Sequence, residues 1–190
     1  MTIDNIRLSL QSRLNKQRFA HSVGVADTAV TLADKFHVDK NKAYIAGLLH
    51  DCARQFDDSE LITQAELRHI PIGEVERAVP LLLHSYIGAA LISEIYDIHD
   101  PEISQAIYRH TVGAVNMTAL DKIIYVADII EPHRIFPAVD SLRTLAAHSD
   151  NLDCITLSVI NQSINFVLQK NSLLHPDTVS ARNFLLLQSL

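Results

Sequence analysis

Apolar residues recur along this chain at intervals of three and four, the spacing that buries one face of a helix, and no stretch alternates as a half-buried strand does. The pattern predicts a short amphipathic helix over residues 6–14 and a longer one over 17–36 with Phe19, Val23, Ala26, Val30 and Ala33 on one stripe. Asp39 is placed to cap a helix that runs through Ala43 and Ala46 into Leu49, and Asp57, Asp58 and Ser59 to open one over 60–69 that Pro71 and Gly73 close. Residues 74–79 read as a short turn, and Pro80 starts an apolar segment that ends near Tyr96. Asp100 before Pro101 is a helix cap with proline at the first helical position, and Gly113 is suited to end that helix. Thr118 opens the next over 119–131, which Pro132 stops, and helices over about 138–148, 152–170 and 177–188 complete the chain. The expected fold is all-α, a single unit over residues 1–190 with no internal repeat and no linker.

Composition narrows the partners. Hydrophobic residues make up 48% and charged residues 20% of the 190, a globular balance long enough to bury a core. A formal charge of -6 argues against binding nucleic acid, which relies on a basic surface. A phosphate substrate would have to be drawn by a local cation or a few basic side chains. Two cysteines, Cys52 and Cys154, and a start without a signal-peptide pattern give the cytoplasm as the expected location. No apolar run reaches the length of a membrane span.

The chemistry begins at Leu48-Leu49-His50-Asp51-Cys52, where an apolar run ends in an imidazole beside a carboxylate. A carboxylate carried against the core needs a partner, because burying an unpaired charge is costly. A second doublet, His99-Asp100, is explained by the helix cap and serves as the decoy. Four other helical segments carry an inward His or Asp among apolar neighbours: His21, His84, His110, and Asp128, which has no adjacent basic residue. Singly, each histidine reads as a hydrogen-bonded core residue. Together, imidazole nitrogens and carboxylate oxygens on separate helices suit Fe, Mn or Zn, and no thiolate joins them.

The order His21, His50-Asp51, His84, His110, Asp128 resembles the six-ligand form of the HD superfamily of metal-dependent phosphohydrolases. Residues 46–53, His84 with Gly88, His110-Thr111-Val112-Gly113 and Ala127-Asp128-Ile129-Ile130-Glu131-Pro132-His133-Arg134 are more closely similar to its bacterial YqeK family. The resemblance covers about residues 15–140 and implies an HD helical bundle with additional C-terminal helices over about 138–190. It also implies symmetrical bis(5'-nucleosyl)-tetraphosphatase activity, which cuts diadenosine tetraphosphate into two ADP, with iron as the metal. By that carry-over His21, His50, Asp51 and Asp128 hold one ion, while His84 and His110 complete a second site, bridged by Asp51, or bind phosphate.

In this reading Asp51 orients or deprotonates the attacking water, Thr111 donates to phosphate, and Arg134 clamps a phosphate with its planar fork. Arg18 and Arg54 are weaker candidates of the same kind, His133 reads as a surface residue, and His37, His69, His99, His148 and His175 have no partner pattern. Rival readings are another HD nucleotide phosphohydrolase, a deoxynucleotidase or cyclic-dinucleotide phosphodiesterase, and a nucleotide-binding regulatory module without turnover. Apolar surface on the C-terminal helices could pair two copies.

Overall fold

The computed structural model describes residues 1–188, so the last two positions of the expected 1–190 unit lie outside the described residues. Among the described residues the fold is all helical. In chain order the helices are α1 (Ile3–Arg13), α2 (Lys16–Lys35), α3 (Lys40–Leu49), α4 (Asp58–Leu67), α5 (Glu74–Ala78), α6 (Leu83–Tyr96), α7 (Pro101–Arg109), α8 (Ala119–Ile130), α9 (Val139–His148), α10 (Leu152–Gln169) and α11 (Pro176–Gln188). Tight 3-10 turns, Cys52–Gln55 and Pro80–Leu82, follow α3 and precede α6.

The starts are set by side chains that satisfy the free amides of the first turn. Asp39 accepts from the amides of Asn41 and Lys42, Asp100 from those of Glu102 and Ile103, and Asp57 and Thr118 each form a reciprocal capping box with the residue three positions on. His99, the decoy, lies on the surface bonded to Asp97.

One hydrophobic cluster runs from Ile6 and Leu10 of α1 to Ala181 and Leu185 of α11. Its densest seam is the crossing of α2 over α3, where a Cβ added at Gly47 would lie 2.8 Å from Ala26 Cα. That approach sets α3 deep enough for its C-terminal end to point into the interior. Helix α8 packs against α2, α3, α7, α9 and α10 and buries residues on nearly its whole circumference. The C-terminal helices close one side: Thr178 Oγ1 donates to Val112 O over 2.9 Å, and Gly113, at φ +73°, would bring a Cβ to 3.3 Å from that of Ala181.

Some expectations need correction. Of the expected α2 stripe, Ala26 and Ala33 are buried but Phe19, Val23 and Val30 are only half-buried; the buried face is turned toward His21, Ser22, Gly24, Val25, Ala29 and Leu32, because α3 and α8 both press on that side. Residues Glu74–Ala78 form a helical turn rather than a bare one. His175 does have a partner: its Nε2 lies 2.9 Å from Oε1 of the buried Glu76, pinning the start of α11 to α5. Phe166, Leu168, Leu173 and Leu187, in and beside α10 and α11, are exposed. No helix among the described residues is long and apolar enough to cross a membrane.

Gly47→Val should lower stability by about 1–3 kcal/mol, the usual effect of forcing carbon into a filled seam. Urea unfolding followed by circular dichroism measures it, and a midpoint equal to wild type would show that α2 and α3 do not meet as closely as described.

Candidate metal centre

His50 is the cap residue at the C-terminal end of α3, and Asp51 begins the turn that follows. His110 caps α7 in the same way, and His84 stands at the junction of the Pro80–Leu82 turn and α6. Carbonyls at helix ends lack helical partners. Each of these imidazoles uses one: Nδ1 of His50 meets Gly47 O at 2.7 Å, that of His84 meets Leu81 O at 2.5 Å, and that of His110 meets Ile107 O at 2.7 Å. A carbonyl only accepts, so each Nδ1 carries a proton, and in the neutral ring Nε2 is the nitrogen that keeps the lone pair. His21 follows the same rule with a different acceptor, its Nδ1 lying 2.9 Å from Glu131 Oε1.

All four lone pairs are aimed into one buried space with Asp51 and Asp128. His21, His50 and Asp51 offer donor atoms within 4.8 Å of one another, as do His50, His110 and Asp128, and Asp51, His84 and His110. His21 Nε2 lies 2.9 Å from Asp128 Oδ1, and His84 Nε2 lies 3.1 Å from both His110 Nε2 and Asp51 Oδ1. Acceptors facing acceptors at such distances repel unless a cation or a proton stands between them. Nε2 of His21 and of His50 are buried and make no well-formed hydrogen bond. These orphaned nitrogens, with nitrogen and oxygen donors and no thiolate, fit a divalent metal ion.

Asp51 spans the cluster. Its Oδ2 faces Arg18 Nη1 at 2.7 Å, His50 Nε2 at 3.4 Å and His21 Nε2 at 3.7 Å, while Oδ1 faces His84 and His110. Burial pushes the Asp51 carboxyl up, but the imidazoles of His50 and His84 outweigh it and hold it well below the usual carboxylate range. Asp128 is held low too, burial being outweighed by His21 and Arg134. Burial pulls His50 down, but Asp51 and Asp128 leave its pKa raised. His110 is pulled down to about 3 by burial and by His50 and His84, so it is a neutral nitrogen donor at neutral pH.

Thr111, Arg18 and Arg134 also lie at the cluster. Thr111 Oγ1 lies 3.3 Å from His84 Nε2 and 3.1 Å from His110 Nε2. Arg134 donates through Nη2 to Asp128 Oδ1 and through Nε to Asp128 O at 2.8 Å, so Asp128 does have a basic partner, brought back by the turn after Pro132. Arg54, half-buried, is attracted by Asp51 and Asp128 and repelled by Arg18 and Arg134. Cys52 stays out of the chemistry: burial pushes its thiol up to about 12, and Sγ faces Gly88 O. A polar hollow of about 160 Å³ opens beside the cluster between Asn15, Gln17, Arg18, His21, Glu131, His133 and Arg134. A larger hollow of about 670 Å³, lined by Leu32, Ile130, Pro132 and Ala146 among others, contains none of the cluster side chains.

Sequence reasoning missed Glu131. It is 1% exposed, its Oε2 accepts from the His133 amide at 2.7 Å and lies 2.9 Å from His133 Nδ1, and it stands three positions after Asp128. The available signal was an acidic residue ending an apolar helix, where the macrodipole disfavours it and a cation or a donor has to compensate. Burial pushes its carboxyl up, but hydrogen bonds from His21 and His133 pull it below its ordinary value. His133, read as a surface residue, is largely exposed yet takes part in this contact.

An all-helical scaffold whose helix ends deliver a His-Asp doublet, three further histidines and a distal aspartate defines an HD-type metal centre. The HD domain family model matches residues 18–132, and the chain belongs to that family. It is similar to a Bacillus subtilis protein named symmetrical bis(5'-nucleosyl)-tetraphosphatase, 38% identical over 176 residues that cover 93% of each chain. A Staphylococcus aureus protein of the same name is 31% identical over 97% of this chain and 94% of its own. A Clostridium acetobutylicum crystal structure, described as a predicted HD superfamily hydrolase involved in NAD metabolism, superposes with a TM-score of 0.94 at 38% identity, covering 99% of this chain and 98% of that one.

Arg134→Ala should destabilise the metal-free protein by about 1–2 kcal/mol, because Asp128 loses its cation; the guanidinium is about a third exposed, which keeps the loss below that of a fully buried pair. Denaturation of the chelator-treated protein measures it, and an unchanged midpoint would mean that Asp128 does not depend on Arg134.

Proposed function

We propose that this chain, as one HD unit over residues 1–190, is a symmetrical bis(5'-nucleosyl)-tetraphosphatase that hydrolyses diadenosine tetraphosphate to two ADP. The observation that carries the reading is the convergence of four imidazole Nε2 atoms and two carboxylates on one buried space. The names of the relatives support the substrate.

In this reading His21, His50, Asp51 and Asp128 hold one ion. His84 and His110 would hold a second rather than a phosphate, a reading favoured by the neutral His110 ring, whose Nδ1–H is already engaged by a carbonyl. The two oxygens of Asp51 are turned to opposite halves of the cluster, so Asp51 would serve both ions. Iron is the proposed metal, and manganese or zinc would suit the same donors. Bound there, a divalent ion acidifies a water and acts as a Lewis acid on a phosphate oxygen.

The chain's own groups do the rest. The water oxygen bonds to one of the two central phosphorus atoms, the bridging oxygen leaves with the other ADP, and Asp51, held ionised, orients the water by accepting its hydrogen bond. Thr111, beside the paired imidazoles, donates to a phosphate oxygen. Arg18 and Arg134, lining the polar hollow, share their charge between the ligand carboxylates and the polyphosphate. The net charge of -6 would repel such a substrate elsewhere on the surface and is unfavourable for nucleic acid. A reducing cytoplasm suits the two free cysteines.

Incubating the metal-loaded protein with diadenosine tetraphosphate and resolving the products by chromatography tests the proposal. ADP should be the sole nucleotide product, and His50→Ala or Asp51→Ala should lower the rate by more than about a hundredfold, beyond the usual loss for an outer-shell residue. ATP and AMP in equal amounts would exclude symmetrical cleavage. Turnover of deoxynucleotides or cyclic dinucleotides in its place would favour another HD phosphohydrolase, and binding without turnover a regulatory module.

A further inference from the structure

Three of the four clustered imidazoles are oriented by carbonyls at helix ends, three residues before them in sequence. His21 cannot be. It lies inside α2, where the preceding carbonyls are committed to the helical ladder, so its Nδ1 proton needs an acceptor from elsewhere. That acceptor is Glu131 Oε1, 110 positions away at the end of α8. The other oxygen of Glu131 is fastened from the far side by the amide and ring of His133.

Helix α2 also makes room for this carboxylate. A Cβ built at Gly24, nearly one turn beyond His21, would lie 2.5 Å from Glu131 Oε2 and 3.2 Å from His133 Nδ1. A glycine inside a helix gives up about 1 kcal/mol relative to alanine. Here any side chain would displace Glu131 from His21.

Resting on the metal centre proposed above, we infer that Glu131 is the positioning residue of that centre. It fixes His21 in the Nδ1-protonated form, aims Nε2 at the ion and strengthens it as a donor, and Gly24 is the cradle that lets it do so. A carboxylate behind a ligating imidazole does this by placing negative charge at the far nitrogen, and losing such a partner typically weakens metal binding 10–100-fold. Glu131 touches no substrate in this role.

The test is the affinity of the metal-free protein for Co²⁺, measured by competition with a chelator and by the visible absorption of the bound ion. Glu131→Ala should weaken binding about 10–100-fold and alter the absorption band. The nearly isosteric Glu131→Gln keeps an acceptor but not the charge, guards against a misfolded alanine variant, and should weaken binding less. Gly24→Ala should weaken binding too, and the Gly24→Ala/Glu131→Ala double variant should be no weaker than Glu131→Ala alone, because both act through one contact. Wild-type affinity and spectrum in both Glu131 variants, or fully additive losses in the double variant, would overturn the inference while leaving the metal centre standing. Failure of the wild-type protein to bind Co²⁺ would overturn the metal centre and the inference together.

Discussion

Four imidazoles that each donate Nδ1–H to an oxygen behind the ring turn Nε2 to the front. The structure depends on that constraint, because Nε2 of His21, His84 and His110 lies at hydrogen-bonding distance from a carboxylate or another ring, and Nε2 of His50 is buried among them without a well-formed bond. Without positive charge among them the cluster would be a store of repulsion in a buried place. The fold supplies the geometry by ending helices where the cluster lies. Helix α3 stops at Leu49, α7 at Arg109, and α6 begins at Leu83, so loose carbonyls and histidines arrive together. The close crossing at Gly47 sets the depth of α3, and α8 carries Asp128 among the surrounding helices.

Charge is organised locally and against the average. The chain is negative overall, yet Arg18 and Arg134 are drawn to Asp51 and Asp128 and Arg54 stands within their electrostatic reach. Guanidinium groups held beside the His-Asp cluster, on a chain that is negative overall, concentrate attraction for an anion at one opening. The surrounding imidazoles, with Arg134 at Asp128, keep the buried carboxylates ionised.

Much of this was legible before any coordinates. Helix starts at Asp39, Asp57, Asp100 and Thr118 follow from short side chains that answer free amides, a local effect that local sequence records. The six cluster residues could be singled out because a polar side chain in an apolar helix is conspicuous, and their order carried the family resemblance. Contacts closed over long stretches of chain were hidden: Glu131 with His21 across 110 positions, and Glu76 with His175 across 99. The α2 face was misjudged for a related reason. Two helices press on the side that bears His21, so small residues such as Ser22 and Ala29 are buried there while the larger Phe19 and Val23 are only half-covered. Asp128 looked unpaired because its cation lies six residues on, beyond a proline turn.

The most direct measurement is anomalous X-ray diffraction from crystals of the metal-loaded protein, collected at the absorption edge of the bound element. The account predicts anomalous density within about 2.0–2.2 Å of Nε2 of His21 and His50 and of an oxygen of Asp51 and of Asp128. Density confined to the surface, with these four side chains satisfied only by water and by one another, would contradict it.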